Sequence, residues 1–328
     1  MPEDFGYIHK KERGGDAAPR LQETNLKRSL VAALAILAAT GAGAARADLA
    51  SGAGEYEFRN TDTGQPVHVY YFKPEGYSAD TPVVVLLHGI KRNAQTYRDG
   101  WIDIARQRKL MVLAPLFTRE TYPGANGYNL GNVFHAVSHP EITGKAKPAE
   151  RNPPARWSFA LPDAVFTDFA RRESTAQAGY TLYGHGAGAQ FAHRYALFRP
   201  KSLACRIIAA NPGWYTYPDA SADWPYGLRD VTGVDGQQVD AYLGAPLLLM
   251  LGDADVHQAG VMRKTDDAQA QGPNRKARGE RFYAHAQQLA KQHGTAFTWQ
   301  LQHVTEAGHS NDQMAAAAAA RVAACPMR

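Results

Sequence analysis

Thr181-Leu-Tyr-Gly-His-Gly-Ala-Gly-Ala-Gln-Phe191 decides how the rest of the chain is read. A short apolar run, Tyr180 to Tyr183, meets a Gly-x-x-x-Gly segment and passes directly into Ala187–Leu197, which has helical composition. The order is strand, sharp turn, helix. Such a turn crowds the chains on either side of its central residue, and the two flanking positions that must be small hold Gly184 and Gly188. The central position is Gly186.

Working outward, the neighbouring runs fall into a βαβ rhythm. Tyr56–Arg59 and Val67–Phe72 read as opening antiparallel strands, and Pro82-Val-Val-Val-Leu-Leu-His-Gly-Ile90 as a strand buried on both faces. Helical spacing over 94–109 leads to a strand over 110–117, and helical spacing returns over 158–172. Arg206–Gly213 and Ala245–Val256 are further strands. A helix over 280–292, a last strand over 297–304 and a final helix over 311–324 complete the series. Residues 118–157, rich in Pro, Gly and Asn, and the aromatic stretch Trp214, Tyr215, Tyr217, Trp224, Tyr226 read as loop-rich insertions of a cap.

This layout resembles the α/β-hydrolase family. The resemblance runs from about Pro82 to the C-terminus and rests on four places: the His88-Gly89 loop, the elbow, the Gly252-Asp-Ala-Asp255 loop and Gly308-His309. It implies an α/β-hydrolase fold, a mostly parallel central sheet flanked by helices. In that family a Gly-x-Ser-x-Gly elbow carries the nucleophilic serine, so this chain departs from the pattern at Gly186. The resemblance implies Asp255 as the acid, with Asp253 as the fallback, and His309 as the general base. It also implies the backbone amides of Ile90 and Ala187 as the oxyanion hole. Members with this layout look like secreted polyester depolymerases and feruloyl- or acetyl-esterases, so the implied substrate is a small or polymeric carboxylic ester. Trp214 and Tyr215 are candidates to contact its acyl group, or residues that pack the cap against its own domain.

No other nucleophile replaces the serine: Ser310 adjoins the base, Thr181 lies within a strand, and Cys205 belongs to the far end of the sheet. Three readings follow. The first is an ester-hydrolase relative with activity lost or greatly weakened. The second is a non-catalytic protein that binds ligand in the old pocket, and the third is a hydrolase using an unforeseen nucleophile or water. A metal hydrolase built from Asp253, Asp255, His257 and His309 lacks metal-ligand spacing, and neither a metal nor a cofactor is expected.

Lys27-Arg28, the apolar run Leu30–Ala45 and the small-x-small pattern Ala45-Arg46-Ala47 read as a secretory signal with cleavage after Ala47. A run of about 16 apolar residues is short of the roughly 20 that span a bilayer, so no stable membrane span is expected once the signal is removed. The polar stretch 1–25 fits neither the signal nor the fold. Domain 48–328 is then the mature, secreted or periplasmic chain. Taking 7 of the 36 Lys and Arg and 5 of the 31 Asp and Glu away with residues 1–47 leaves 29 against 26, or +3. That mild basicity argues against a nucleic-acid partner, and the sequence leaves the oligomeric state open. Export would permit a bridge between the two cysteines, Cys205 and Cys325, with two buried thiols as the alternative.

Overall fold

A computed structural model describes residues 48–135, 150–257 and 262–326. The expected signal, its cleavage after Ala47 and the stretch 1–25 lie outside the described residues. Eight strands form one sheet in the order β1-β2-β4-β3-β5-β6-β7-β8. They are β1 (Gly52–Arg59), β2 (Pro66–Lys73), β3 (Val83–Leu87), β4 (Met111–Pro115), β5 (Tyr180–His185), β6 (Ala204–Ala210), β7 (Leu247–Gly252) and β8 (Gln300–Val304). β2 pairs antiparallel with β1 and β4, and every pairing from β4 onward is parallel. The helices are α1 (Ala94–Arg108), α2 (Gly124–Gly127), α3 (Leu161–Glu173), α4 (Ala187–Phe198), α5 (Gly236–Leu243), α6 (Asp266–Ala270), α7 (Arg275–His293) and α8 (Asn311–Ala319).

The continuous apolar runs become central strands because both faces are covered. Val83, Val85 and Leu87 of β3 join the core beneath α3 and α4. Val84 and Leu86 join a second core with Trp101 of α1 and Met314 of α8. This two-residue alternation is the strand's own period, and it gives each layer of helices its apolar floor. The parallel strands then all deliver their C-terminal ends to one edge, where the turn after β5 and the loops after β3, β7 and β8 gather.

The last strand begins at Gln300 rather than 297 and the last helix ends at Ala319 rather than 324, and two further differences from the sequence reading have local reasons. α7 begins at Arg275 rather than Glu280, because the Asn274 side chain accepts the Ala277 N–H and caps the helix five residues early. α5 was not foreseen; Asp235 caps it by accepting the Gln238 N–H.

Cys205, at the start of β6, forms a disulfide with Cys325 at a Cα separation of 5.8 Å, which closes the alternative of two free thiols. The bridge ties the segment beyond α8 to the end of the sheet remote from the elbow, where Gln177 also accepts the Cys325 N–H at 2.6 Å. Because the cysteines are 120 residues apart, the bridge removes much chain entropy from the unfolded state. Replacing Cys325 with serine should therefore cost about 2–5 kcal/mol and lower the thermal midpoint by roughly 5–15 °C. Calorimetry on the variant beside the unmodified chain is the check.

Candidate active site

β5 enters the turn with its residues buried on both faces, and Gly186 turns the chain at φ 59°, ψ −112° before α4 begins at Ala187. A side chain at Gly184 would press into the Gly188 carbonyl, and one at Gly188 into the Leu87 carbonyl. Both glycines are therefore required by close approach of backbone. Gly186 differs. A Cβ built there meets only His309, with Nε2 at 3.5 Å and Cε1 at 3.7 Å. The turn has the shape of an elbow that presents a side chain to an imidazole, and it has room for that side chain.

His309 leaves the loop after β8, and its Nδ1 lies 2.8 Å from Asp255 Oδ2. The Asp255 carboxylate is 3% exposed, and its Oδ1 accepts from Arg275 Nη1 at 3.1 Å. One carboxylate thus holds the ring from one side while a guanidinium holds the carboxylate from the other. With Nδ1 committed, the ring's Nε2 faces position 186. Asp253 points elsewhere, to Lys276 Nζ at 2.9 Å and His303 Nδ1 at 3.1 Å, and the Lys276 ammonium holds its carboxyl below the usual range. Of the two aspartates, Asp255 alone meets His309. Among the described residues no three His, Cys, Asp or Glu side chains gather as a metal site.

Ile90 lies in the turn after β3, closed by the Arg92 N–H donating to the Gly89 carbonyl at 3.1 Å. His88, fully buried, uses Nε2 to accept the Phe117 N–H at 3.1 Å and Nδ1 to donate to the Gly89 carbonyl at 3.1 Å. Burial pushes its pKa down to about 3, so the ring stays neutral and serves as a structural hydrogen-bond bridge. Tyr128 donates to the His88 carbonyl at 2.7 Å, and Arg119 Nη2 to the Ile90 carbonyl at 3.0 Å. Ala187, as the first residue of α4, has an amide with no acceptor inside the helix.

Trp214 and Tyr215 are 3% and 0% exposed. The Arg194 guanidinium covers the Trp214 ring at 4.1 Å, and Tyr215 stacks on Phe282 at 4.4 Å. Their side chains pack the wall behind the loop after β6 rather than lining an open surface.

Four residues near the site were not singled out in the sequence. Arg275 precedes the helix read over 280–292, and the Asn274 cap was the available signal. Asn211 accepts the Gly252 N–H at 2.7 Å and donates to the Gly308 carbonyl at 2.9 Å, joining the ends of β6 and β7 to the His309 loop. His185 packs its ring 4.7 Å from that of His309, and its Nδ1 lies 3.3 Å from the Tyr97 hydroxyl. Burial holds its pKa well below the ordinary histidine value, so the ring behind His309 stays uncharged. Arg92 braces the Ile90 turn. No local pattern marks these last three residues, since their roles arise from contacts across the sheet edge.

A cavity of about 380 Å³ lined by Arg59, Asp163, Arg171 and Arg199 contains none of the candidate site residues. The chain matches no protein-family model and no curated protein. Among solved structures it is similar to poly(aspartic acid) hydrolase-1 from Sphingomonas sp. KT-1, with 34% identity and a TM-score of 0.76, covering 84% of this chain and 99% of that one. It is also similar to the poly(3-hydroxybutyrate) depolymerase LpqC from Bordetella parapertussis, with 33% identity and a TM-score of 0.74, covering 83% of this chain and 90% of that one.

Proposed function

The chain belongs to the α/β-hydrolase family, as an esterase- or depolymerase-type member, and from that premise we propose that it is a carboxylic-ester hydrolase stopped at one side chain. The observation that carries this reading is the empty approach from Gly186 to His309 Nε2, with Asp255 still seated on Nδ1. In this reading Asp255 orients the imidazole, His309 is the base, and the Ile90 and Ala187 amides receive the oxyanion. Of the two similar proteins named for cleaving polymers, the one named for poly(3-hydroxybutyrate), a polyester, supports an ester substrate of small or polymeric kind. The reading includes export, which the Cys205–Cys325 bridge supports because a disulfide suits an oxidising compartment.

Glycine cannot form an acyl-enzyme. What remains to it is direct attack by water. His309 Nε2 takes the water proton as oxygen adds to the carbonyl, and the tetrahedral intermediate then expels the alkoxide, which recovers that proton. Without a covalent intermediate this route keeps only the part of catalysis due to binding and the oxyanion hole, about 10³–10⁴ over water. The test is hydrolysis of p-nitrophenyl acetate and butyrate by the unmodified chain, cleared of contaminating esterase. Turnover far below 1 s⁻¹ is expected, against the roughly 1–10³ s⁻¹ of ordinary enzymes. Rates in that ordinary range would reveal a different nucleophile and overturn the reading.

A further inference from the structure

We propose that Tyr97 and His185 are a positioning pair for His309: the Tyr97 hydroxyl fixes the His185 ring, and that ring keeps the His309 imidazole aimed at position 186. The inference rests on reading His309 as the base of a dormant esterase. Asp255 gives the imidazole one hydrogen bond, at Nδ1, and the His309 side chain is 35% exposed. A single hydrogen bond leaves the ring able to swing about its bonded nitrogen, which would carry Nε2 off its 3.5 Å approach to a Cβ at 186. A second contact, on the face of the ring, removes that freedom.

His185 supplies this contact. It is the last residue of β5, it is 4% exposed, and its ring lies 4.7 Å from that of His309 at an interplanar angle of 37°. His185 is in turn held by Tyr97 of α1, whose hydroxyl lies 3.3 Å from its Nδ1. Room for that hydroxyl comes from Gly89, where a Cβ would stand 2.9 Å from it. The glycine after β3 therefore lets α1 reach the elbow. The contacts run from Tyr97 through His185 to His309, and so from α1 past the end of β5 to the loop after β8.

Packing alone does not account for an imidazole at 185. Its Nε2 is buried and has no hydrogen-bond partner among the described residues. A buried nitrogen without a partner is costly, and phenylalanine would fill the space without one. The nitrogen that is used is Nδ1, and what it meets is Tyr97. Burial also keeps the His185 ring uncharged, so it can stand behind a base that becomes an imidazolium without adding a like charge.

The experiment compares variants in the Gly186→Ser background by steady-state hydrolysis of p-nitrophenyl butyrate, with thermal unfolding as the check of folding. His185→Ala should lower kcat by roughly 10²-fold, the loss expected when a reacting group is misdirected, and change KM less than about twofold. Tyr97→Phe and His185→Phe each break the tie but keep both rings, so each should lose only about five- to tenfold. The double variant should be no slower than the slower single one, because the two residues act through one bond. A folded His185→Ala as fast as its parent, a loss confined to KM, or additive losses in the double variant would overturn the proposal. If Gly186→Ser is inactive, the dormant-esterase reading fails, and positioning is read in the unmodified chain instead. With 15N-labelled histidine, the Nδ1–H proton of His309, identified by its absence from His309→Gln, should be sharp in the parent and broadened or lost in His185→Ala. A parent resonance already broad, or one unchanged in His185→Ala, sinks the positioning pair alone.

Discussion

Substituting serine for Gly186 is expected to raise turnover of p-nitrophenyl butyrate by at least about 10³-fold, and by up to about 10⁶-fold if the water route contributes nothing beyond binding. The range follows from what the site keeps. The acid–base pair is already within hydrogen-bond distance, at 2.8 Å. A Cβ at 186 would stand 3.5 Å from Nε2, close enough for the hydroxyl it carries to reach that nitrogen. The same substitution should cost stability. At φ 59° and ψ −112° glycine is unstrained, whereas a residue with a Cβ costs roughly 1–3 kcal/mol there. Activity should thus appear together with a lowered thermal midpoint, both measured on one preparation. A variant that is folded but no faster than the parent would mean that the amides or the imidazole are not placed for acyl transfer.

In the Gly186→Ser background, Asp255→Asn should reduce kcat by about 10⁴, while Asp253→Asn should change it less than a few-fold. The asymmetry comes from partners rather than from sequence position. Asp255 is buried, fixes Nδ1 and is itself held by Arg275. An amide in its place would no longer stabilise the cation and could present its NH₂ to the ring, favouring the wrong tautomer. Asp253 interacts with Lys276 and His303 at the surface, where solvent screens such pairs. Steady-state kinetics separating kcat from KM decides the matter. Equal losses in both variants would mean that the acid has been misassigned.

The architecture was legible because its signals are local. The buried runs 82–90 and 245–256 could be little other than central strands once both faces were covered. The elbow declared itself through Gly184 and Gly188, whose lack of side chains answers to carbonyl groups lying against them. The candidate acid and base, Asp255 and His309, could be located along the chain because each follows a strand end at the same sheet edge, and the two side chains meet. What stayed hidden depends on long-range contact. Arg275 meets Asp255 across 20 residues, Asn211 bridges to Gly308 across 97, and Arg92 reaches Tyr122 across 30. Periodicity carries no trace of such pairings. The aromatic stretch left two readings open, ligand contact or packing, and Trp214 and Tyr215 pack against Arg194 and Phe282.

On the proposed reading, everything needed for acyl transfer except the nucleophile is in place around Gly186. Intact-mass spectrometry after treatment with a fluorophosphonate, followed by peptide mapping, is the decisive measurement. The Gly186→Ser variant should gain a single adduct on the peptide containing residue 186, and the unmodified chain none. An adduct on the unmodified chain, or a folded variant that stays unlabelled, would contradict it.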